Sequence, residues 1–211
     1  MLSLLLLTDS RFPAGGYAHS GGLEPAVEDG LAADQVPAFL RGRLRGVGWP
    51  EACLAVAARR AGDIEELLRL DVEALARCPS PPLRRASGRL GSQLLRTAAT
   101  VWPGALDGYR AASSATPRPV AFGAVAAVAG LDDRQTAYAY LYEDAATVTT
   151  AAVKLLPVDG ATAARWLVEA APELDRLALE AVDSGLPGGF APALELGSLA
   201  HAAREGRLFA T

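Results

Sequence analysis

Lysine is almost absent from this sequence, since Lys154 is the one lysine among 20 basic residues. A phosphate-binding P-loop needs a lysine that follows a glycine-rich turn and precedes serine or threonine. Lys154 is followed by Leu155, and the required glycines are missing before it. The chain is therefore not itself a P-loop nucleotidase.

Cysteine, positive net charge and long apolar runs are also scarce. Cys53 and Cys78 form no Cys-x-x-Cys pair or disulfide framework, which favours a reduced, cytoplasmic setting. The net charge of −4 argues against a nucleic-acid partner. No run reaches the roughly 20 apolar residues of a membrane helix. Leu2–Leu7 is apolar without a basic n-region, so we expect no signal peptide, and periodicity does not decide between helix and strand there.

Apolar residues recur three and four positions apart along most of the chain, and no segment alternates as a half-buried strand does. This predicts an all-α, single-domain multi-helix bundle over 1–211, with 1–10 and the tail 206–211 as candidate flexible ends. Hydrophobic residues make up 51% of the chain, a high share that favours burial against partners.

Helix boundaries follow from capping and breaking residues. Asp63, with Glu66 three residues later, and Asp132 or Asp133 are predicted N-caps. Gly48-Trp49-Pro50 predicts a break or kink, and Pro172 a kink or a fresh start. The last helix is predicted over 190–205.

The most distinctive stretch is 8–30, which contains the pairs Gly15-Gly16 and Gly21-Gly22. Glycine permits positive φ or a close approach to another surface. We therefore expect a shaped loop that presents a few side chains, followed by a short helix that Glu24 opens.

One reading of this loop is catalytic. The sequence Ala-His-Ser-Gly-Gly at 18–22 is similar to the alanine variant of a nucleophile elbow, and chain order permits a serine hydrolase using Ser20 and His201. That elbow needs a strand leading directly into the serine, whereas this sequence predicts helices and places proline and glycine before Ser20. The hydrolase stays the alternative.

A second reading is metal binding. Glu24 and Glu28 share a helix face, and with His19 they are candidate transient ligands for a divalent ion. The chain has no paired His or Cys spacing, so no tight metal site is expected. A helical nickel-binding module remains open, as does a solvated acidic face with a histidine bonded to its own loop.

Two further features suit either an interface or ordinary packing. Tyr138 and Tyr142 share one helix face, where tyrosines serve partners or the edge of a core. The tail Arg207-Leu208-Phe209 is amphipathic, and such an end either docks into a partner or frays.

The loop and tail together resemble the urease accessory protein UreF family. The N-terminal motif runs from Asp9-Ser10-Arg11-Phe12-Pro13 through Gly15-Gly16-Tyr17 to Ser20-Gly21-Gly22-Leu23-Glu24 and then Glu28. The tail matches at His201 and Arg207-Leu208-Phe209, and the motifs in the middle of the chain follow the same order as in the family. The chain departs at Val158-Asp159-Gly160, Ala202 and Ala210, where the family has Leu-Gly-Gln, Glu and Ser.

The resemblance implies an all-helical, dimeric, cytoplasmic chaperone and not an enzyme. It would bridge a UreD (UreH)-like accessory protein and a UreG-like GTPase and assist nickel delivery into apo-urease. Nickel would be in transit, GTP would bind only the GTPase, and no nucleic acid or membrane would take part. With the candidates above, the predicted partner-binding residues are Phe12, Pro13, Gly15, Gly16, Tyr17, His19, Ser20, Gly22, Leu23, Glu24, Glu28, Tyr138, Tyr142, His201, Arg207, Leu208 and Phe209.

Overall fold

The computed structural model describes residues 2–9, 11–204 and 207–210, and the side chain of Tyr17 lies outside that description. Within these ranges the regular structure is helical and contains no β-strand, which confirms the predicted all-α class. No helix within the described ranges has the length and apolar character needed to cross a membrane. The predicted flexible ends, 1–10 and 206–211, lie partly outside the described residues.

The α-helices follow one another along the chain with short connections. They are α1 (Leu2–Leu7), α2 (Leu23–Glu28), α3 (Val36–Arg43), α4 (Trp49–Arg60), α5 (Ile64–Ala76), α6 (Pro81–Val101), α7 (Asp107–Ala112), α8 (Arg118–Val128), α9 (Asp133–Leu155), α10 (Gly160–Asp183) and α11 (Pro192–Ala202). Single 3₁₀ turns lie at Gly16–Ala18 and Ala33–Gln35, and Leu44–Gly48 is π-helical.

The core is centred on α9 and α4, which pack against each other and against α10 and α8. Small residues let these helices approach closely. A Cβ on Gly123 of α8 would lie 2.1 Å from the carbonyl oxygen of Ala55 in α4. Phe122 and Tyr140, both fully buried, meet edge to face with ring centroids 5.3 Å apart. The α8–α4 contact therefore depends on glycine at position 123.

The predicted N-caps at Asp63 and Asp132 are confirmed, since each carboxylate accepts a backbone N–H three residues later at 2.8 and 2.7 Å. Asp159, at one of the positions that depart from the UreF pattern, caps α10 by accepting the N–H of Thr162 at 2.7 Å. This departure has a structural role, because a side-chain acceptor satisfies a donor that the first helical turn leaves unpaired.

Three sequence-based boundaries change in the structure. The irregularity predicted at Gly48-Trp49-Pro50 is a π-helical segment, Leu44–Gly48, that joins α3 to α4 without a break, and Pro50 follows directly after it. α10 continues through Pro172 instead of restarting. The last helix is shorter than 190–205 and begins only at Pro192, while α7 was not predicted at all.

Candidate functional site

The glycine loop is held in a fixed shape by its own backbone and by α6. Gly15, Gly21 and Gly22 have φ of 85°, 64° and 82°, so three of the four paired glycines occupy the left-handed region. A Cβ at Gly22 would also lie 2.8 Å from the side chain of Leu194 in α11. The carbonyl oxygen of Pro13 accepts hydrogen bonds from Gln93 and Thr97 of α6. The predicted shaped loop is therefore present.

Glu24 connects this loop to the far end of the chain. Its carboxylate is buried and accepts the backbone N–H groups of Leu208 at 2.7 Å and Phe209 at 3.0 Å. The backbone N–H of Ala210 donates to the carbonyl oxygen of Ala18 at 2.8 Å. We call Glu24, His201, Leu208 and Phe209 the loop–tail clamp. A buried carboxylate that accepts two N–H groups is a strong tie, because hydrogen bonds to charged acceptors are stronger than neutral ones.

His201 lies beside the same carboxylate. Its Nε2 atom is 3.3 Å from Glu24 Oε2, and its buried Nδ1 atom has no hydrogen-bond partner among the described residues. Glu28 is 3.9 Å from Nδ1 and pairs with Arg204, which follows α11. Phe209 is 5% exposed, and the ammonium of Lys154 stands 5.2 Å from its ring centre. The tail is thus packed onto the body of the protein.

His19 and His201 line one cavity, which is partly open to solvent. The cavity has a volume of about 170 Å³, and Arg43, Glu51, Arg118 and Tyr140 also line it. Burial first, and then the positive charges of Arg118 and Arg89, lower the pKa of His19 to about 4. The imidazole is therefore neutral at pH 7 and adds no positive charge to the cavity.

A buried polar cluster, which the sequence analysis missed, anchors the loop from beneath. Arg43 donates to both carboxylate oxygens of Asp144 at 2.9 and 2.6 Å and to the carbonyl of Gly21 at 2.8 Å. The hydroxyl of Tyr140 donates to Glu51, and burial raises the pKa of that carboxyl. Arg43 and Asp144 are 101 positions apart, so no local pattern reveals the pair. Removing one partner of a buried ion pair typically costs about 3–5 kcal/mol.

The structure brings only some of the predicted metal candidates together. Glu24 and Glu28 both face His201, and His201 lines the same cavity as His19. Across residues 2–9, 11–204 and 207–210, no cluster of three His, Cys, Asp or Glu side chains is arranged to hold a metal ion. Transient contact with a metal ion stays a prediction.

The hydrolase alternative loses its geometric basis. The Ser20 side chain is fully buried, and its Oγ accepts the backbone N–H of Glu24 at 3.2 Å. A 3₁₀ turn, not a strand, precedes it. A nucleophile elbow exposes its serine at the end of a strand, so this arrangement does not present a nucleophile to a substrate.

The predicted partner-binding residues differ widely in exposure. Pro13, Glu28, Arg207 and Leu208 are exposed, and the paired glycines, His19, Tyr138 and Tyr142 are half-buried. The buried ones are Phe12, Ser20, Leu23, Glu24, His201 and Phe209. The buried side chains contact their own chain and shape the site. Direct contact with a partner stays a prediction, and it depends on the exposed residues of the set.

Comparison with known proteins identifies similar chains. A family model described as UreF matches residues 31–171, a range that leaves out the glycine loop and the tail. A urease accessory protein UreF of Mycobacterium sp. (strain JLS) is 39% identical over 214 residues, covering 100% of this chain and 99% of the relative. The protein of the same name from Mycolicibacterium vanbaalenii is 37% identical over 221 residues, covering 100% and 99%. That of Methylibium petroleiphilum is 34% identical over 221 residues, covering 99% and 93%. The similarity therefore extends across the loop and the tail.

Proposed function

The chain belongs to the UreF family of urease accessory proteins, and from that premise we propose that it is a non-catalytic assembly factor for nickel urease. In this proposal it binds a UreD (UreH)-like accessory protein and a UreG-like GTPase and assists nickel delivery into apo-urease. Nickel is cargo, and GTP binds only the GTPase. We further propose that the chain acts in the cytoplasm as a homodimer.

The observation that carries the proposal is the loop–tail clamp. Glu24 ties the C-terminal tail to the start of α2, and α2 also packs against α11. Two segments that are separated by most of the chain thus form one surface. Leu208 is 62% exposed although its backbone is fixed, and a fixed, exposed leucine is a low-entropy anchor for a partner.

The burial of Ser20, the nucleophile of the catalytic alternative, supports a binding role. Ser20 is buried and bonded to backbone, and its candidate partner His201 lies against Glu24. A rigid surface with buried polar ties is well suited to present a constant shape to several proteins in turn. This supports assembly in preference to turnover.

Co-purification tests the proposal. The chain, co-expressed with UreD-like and UreG-like proteins of its own organism, is expected to elute with them, with the GTPase joining when GTP and nickel are present. Leu208→Asp should reduce recovery of the complex at least tenfold while the helical circular dichroism and melting temperature stay unchanged, because a charge at an anchor is costly on desolvation.

Leu179 provides the matched control, since it is 51% exposed on α10. Leu179→Asp is expected to leave recovery unchanged. Absence of any complex under all conditions would refute the proposed function. Equal loss in both variants would refute the assignment of the tail as the docking surface.

A further inference from the structure

A basic groove lies beside the glycine loop on the outer side of α6. It has a volume of about 1310 Å³ and is lined by Arg84, Arg85, Arg89 and Arg96, with no Asp or Glu among its described lining residues. Twelve helical steps separate the first arginine from the last, or about 18 Å along the axis. We call this surface the α6 groove.

The charge of the α6 groove is not neutralised within the described part of the chain. None of its four arginines forms an ion pair with another described residue, whereas most other arginines do, including Arg43. The side chains of Arg84, Arg89 and Arg96 donate hydrogen bonds to backbone carbonyls or to the uncharged amide of Gln93. In a chain of net charge −4, four unpaired arginines on one helix make a local positive field.

The floor of the groove is apolar. Leu75, Leu90 and Val72 line it from α5 and α6, and Pro13 lines it from the glycine loop. Val72 is 66% exposed, so the groove includes apolar surface that solvent reaches. Apolar surface flanked by arginines is complementary to a segment that carries both apolar and acidic side chains.

We propose that the α6 groove binds an acidic amphipathic segment of a partner protein. Arginine is well suited to this role because its planar guanidinium pairs with carboxylates through two hydrogen bonds. Arg85, Arg89 and Arg96 follow a spacing of four and seven along α6, so they project from one face. Such a row matches acidic side chains repeated along a partner helix.

A protein segment suits the groove better than a nucleic acid. The described lining contains no Phe, Tyr or Trp, and His19 is its single aromatic ring, whereas binding of single strands relies on several stacked bases. The net charge of the whole chain also opposes a long polyanion. A short acidic segment adds few charges and uses the apolar floor, which a phosphate backbone leaves uncovered.

Fluorescence anisotropy tests the inference on the full chain. The probe is a labelled helical peptide with leucine on one face and glutamate on the other, measured at about 0.15 M salt, where exposed charges more than about 8 Å apart are largely screened. Arg85→Glu/Arg89→Glu is expected to weaken binding at least about tenfold, because rim charges set electrostatic complementarity. Arg96→Gln should weaken it less, and it supplies a second readout if the double variant folds poorly.

Arg41 of α3 offers a matched control, since it is exposed and has no ion pair with a described residue. Arg41→Glu should bind as the wild type does. Unchanged binding by both groove variants, equal loss in Arg41→Glu, equal affinity for a glutamine-substituted peptide, or tighter binding of a single-stranded oligonucleotide would each overturn the inference. The assay uses no urease partner, so its outcome is independent of the proposed function.

Discussion

Glu24→Gln is the sharpest perturbation of the loop–tail clamp, because it keeps the shape of the side chain and removes its charge. The carboxylate accepts the N–H groups of Leu208 and Phe209 with its two oxygens. Glutamine offers one oxygen and turns an amide N–H₂ toward the other donor. Loss of one charge-assisted hydrogen bond and weakening of the second amount to about 2–3 kcal/mol. The tail should therefore open roughly 30- to 150-fold more often.

Trypsin reports this opening because it cleaves after Arg207, and the mass of the fragment that begins at Leu208 distinguishes this cut from one after Arg204. Cleavage tracks the open population when opening is fast relative to proteolysis. Mass spectrometry of the released tail should show the same 30- to 150-fold acceleration in Glu24→Gln. Glu28→Gln is the control, since Glu28 pairs with Arg204, whereas the amides of Leu208 and Phe209 bond to Glu24. Equal cleavage rates in wild type and Glu24→Gln would refute the reasoning.

Two further predictions concern stability. Gly123→Ala should lower the free energy of unfolding by about 1–3 kcal/mol in urea titrations, because the added Cβ would lie 2.1 Å from a backbone oxygen. Gly42→Ala is the control and should raise the free energy of unfolding by about 0.5–1 kcal/mol, because no atom lies within 4 Å of its added Cβ. Equal effects would contradict the close approach of α8 to α4. The pKa of His19 is lowered from its ordinary value of 6.5 to about 4 in the folded chain, so stability is lost as pH falls from 6.5 toward 4, where the unfolded chain binds a proton that the folded chain does not. Between pH 7 and pH 5 the wild type should lose on the order of 1–2 kcal/mol more free energy of unfolding than His19→Asn, a figure that allows for the partial exposure of the imidazole. Parallel profiles of unfolding free energy against pH for the two proteins would contradict this prediction.

Local features of the fold followed from local sequence. The caps at Asp63 and Asp132 were predictable because a capping side chain bonds a backbone group only three residues away. The 3–4 spacing predicted most helices for the same reason. The π-helical join at Leu44–Gly48 was not predicted, and the two helices that it connects, α3 and α4, both pack on α9 and α10.

The candidate site, like the fold, was only partly predictable from the sequence. The sequence singled out the glycine loop and the tail, and the family membership of the chain accords with that resemblance. It gave no sign that Glu24 bonds residues 184 and 185 positions later, or that Phe209 is buried. The signal for the α6 groove was present but unused, because the 21 residues of α6 include four arginines and no acidic residue.

By itself, the sequence determined that this protein is an all-α bundle with a shaped glycine loop and no P-loop, because periodicity, capping and glycine φ act within a few residues. The tertiary structure alone decided that loop and tail form one surface, that Arg43 pairs with Asp144 beneath it, and that the arginines of α6 are left without ion partners among the described residues. These features depend on which distant groups come into contact when the helices pack. Burial strengthens the hydrogen bonds and ion pairs that form in this way, whereas charges that find no partner stay at the surface.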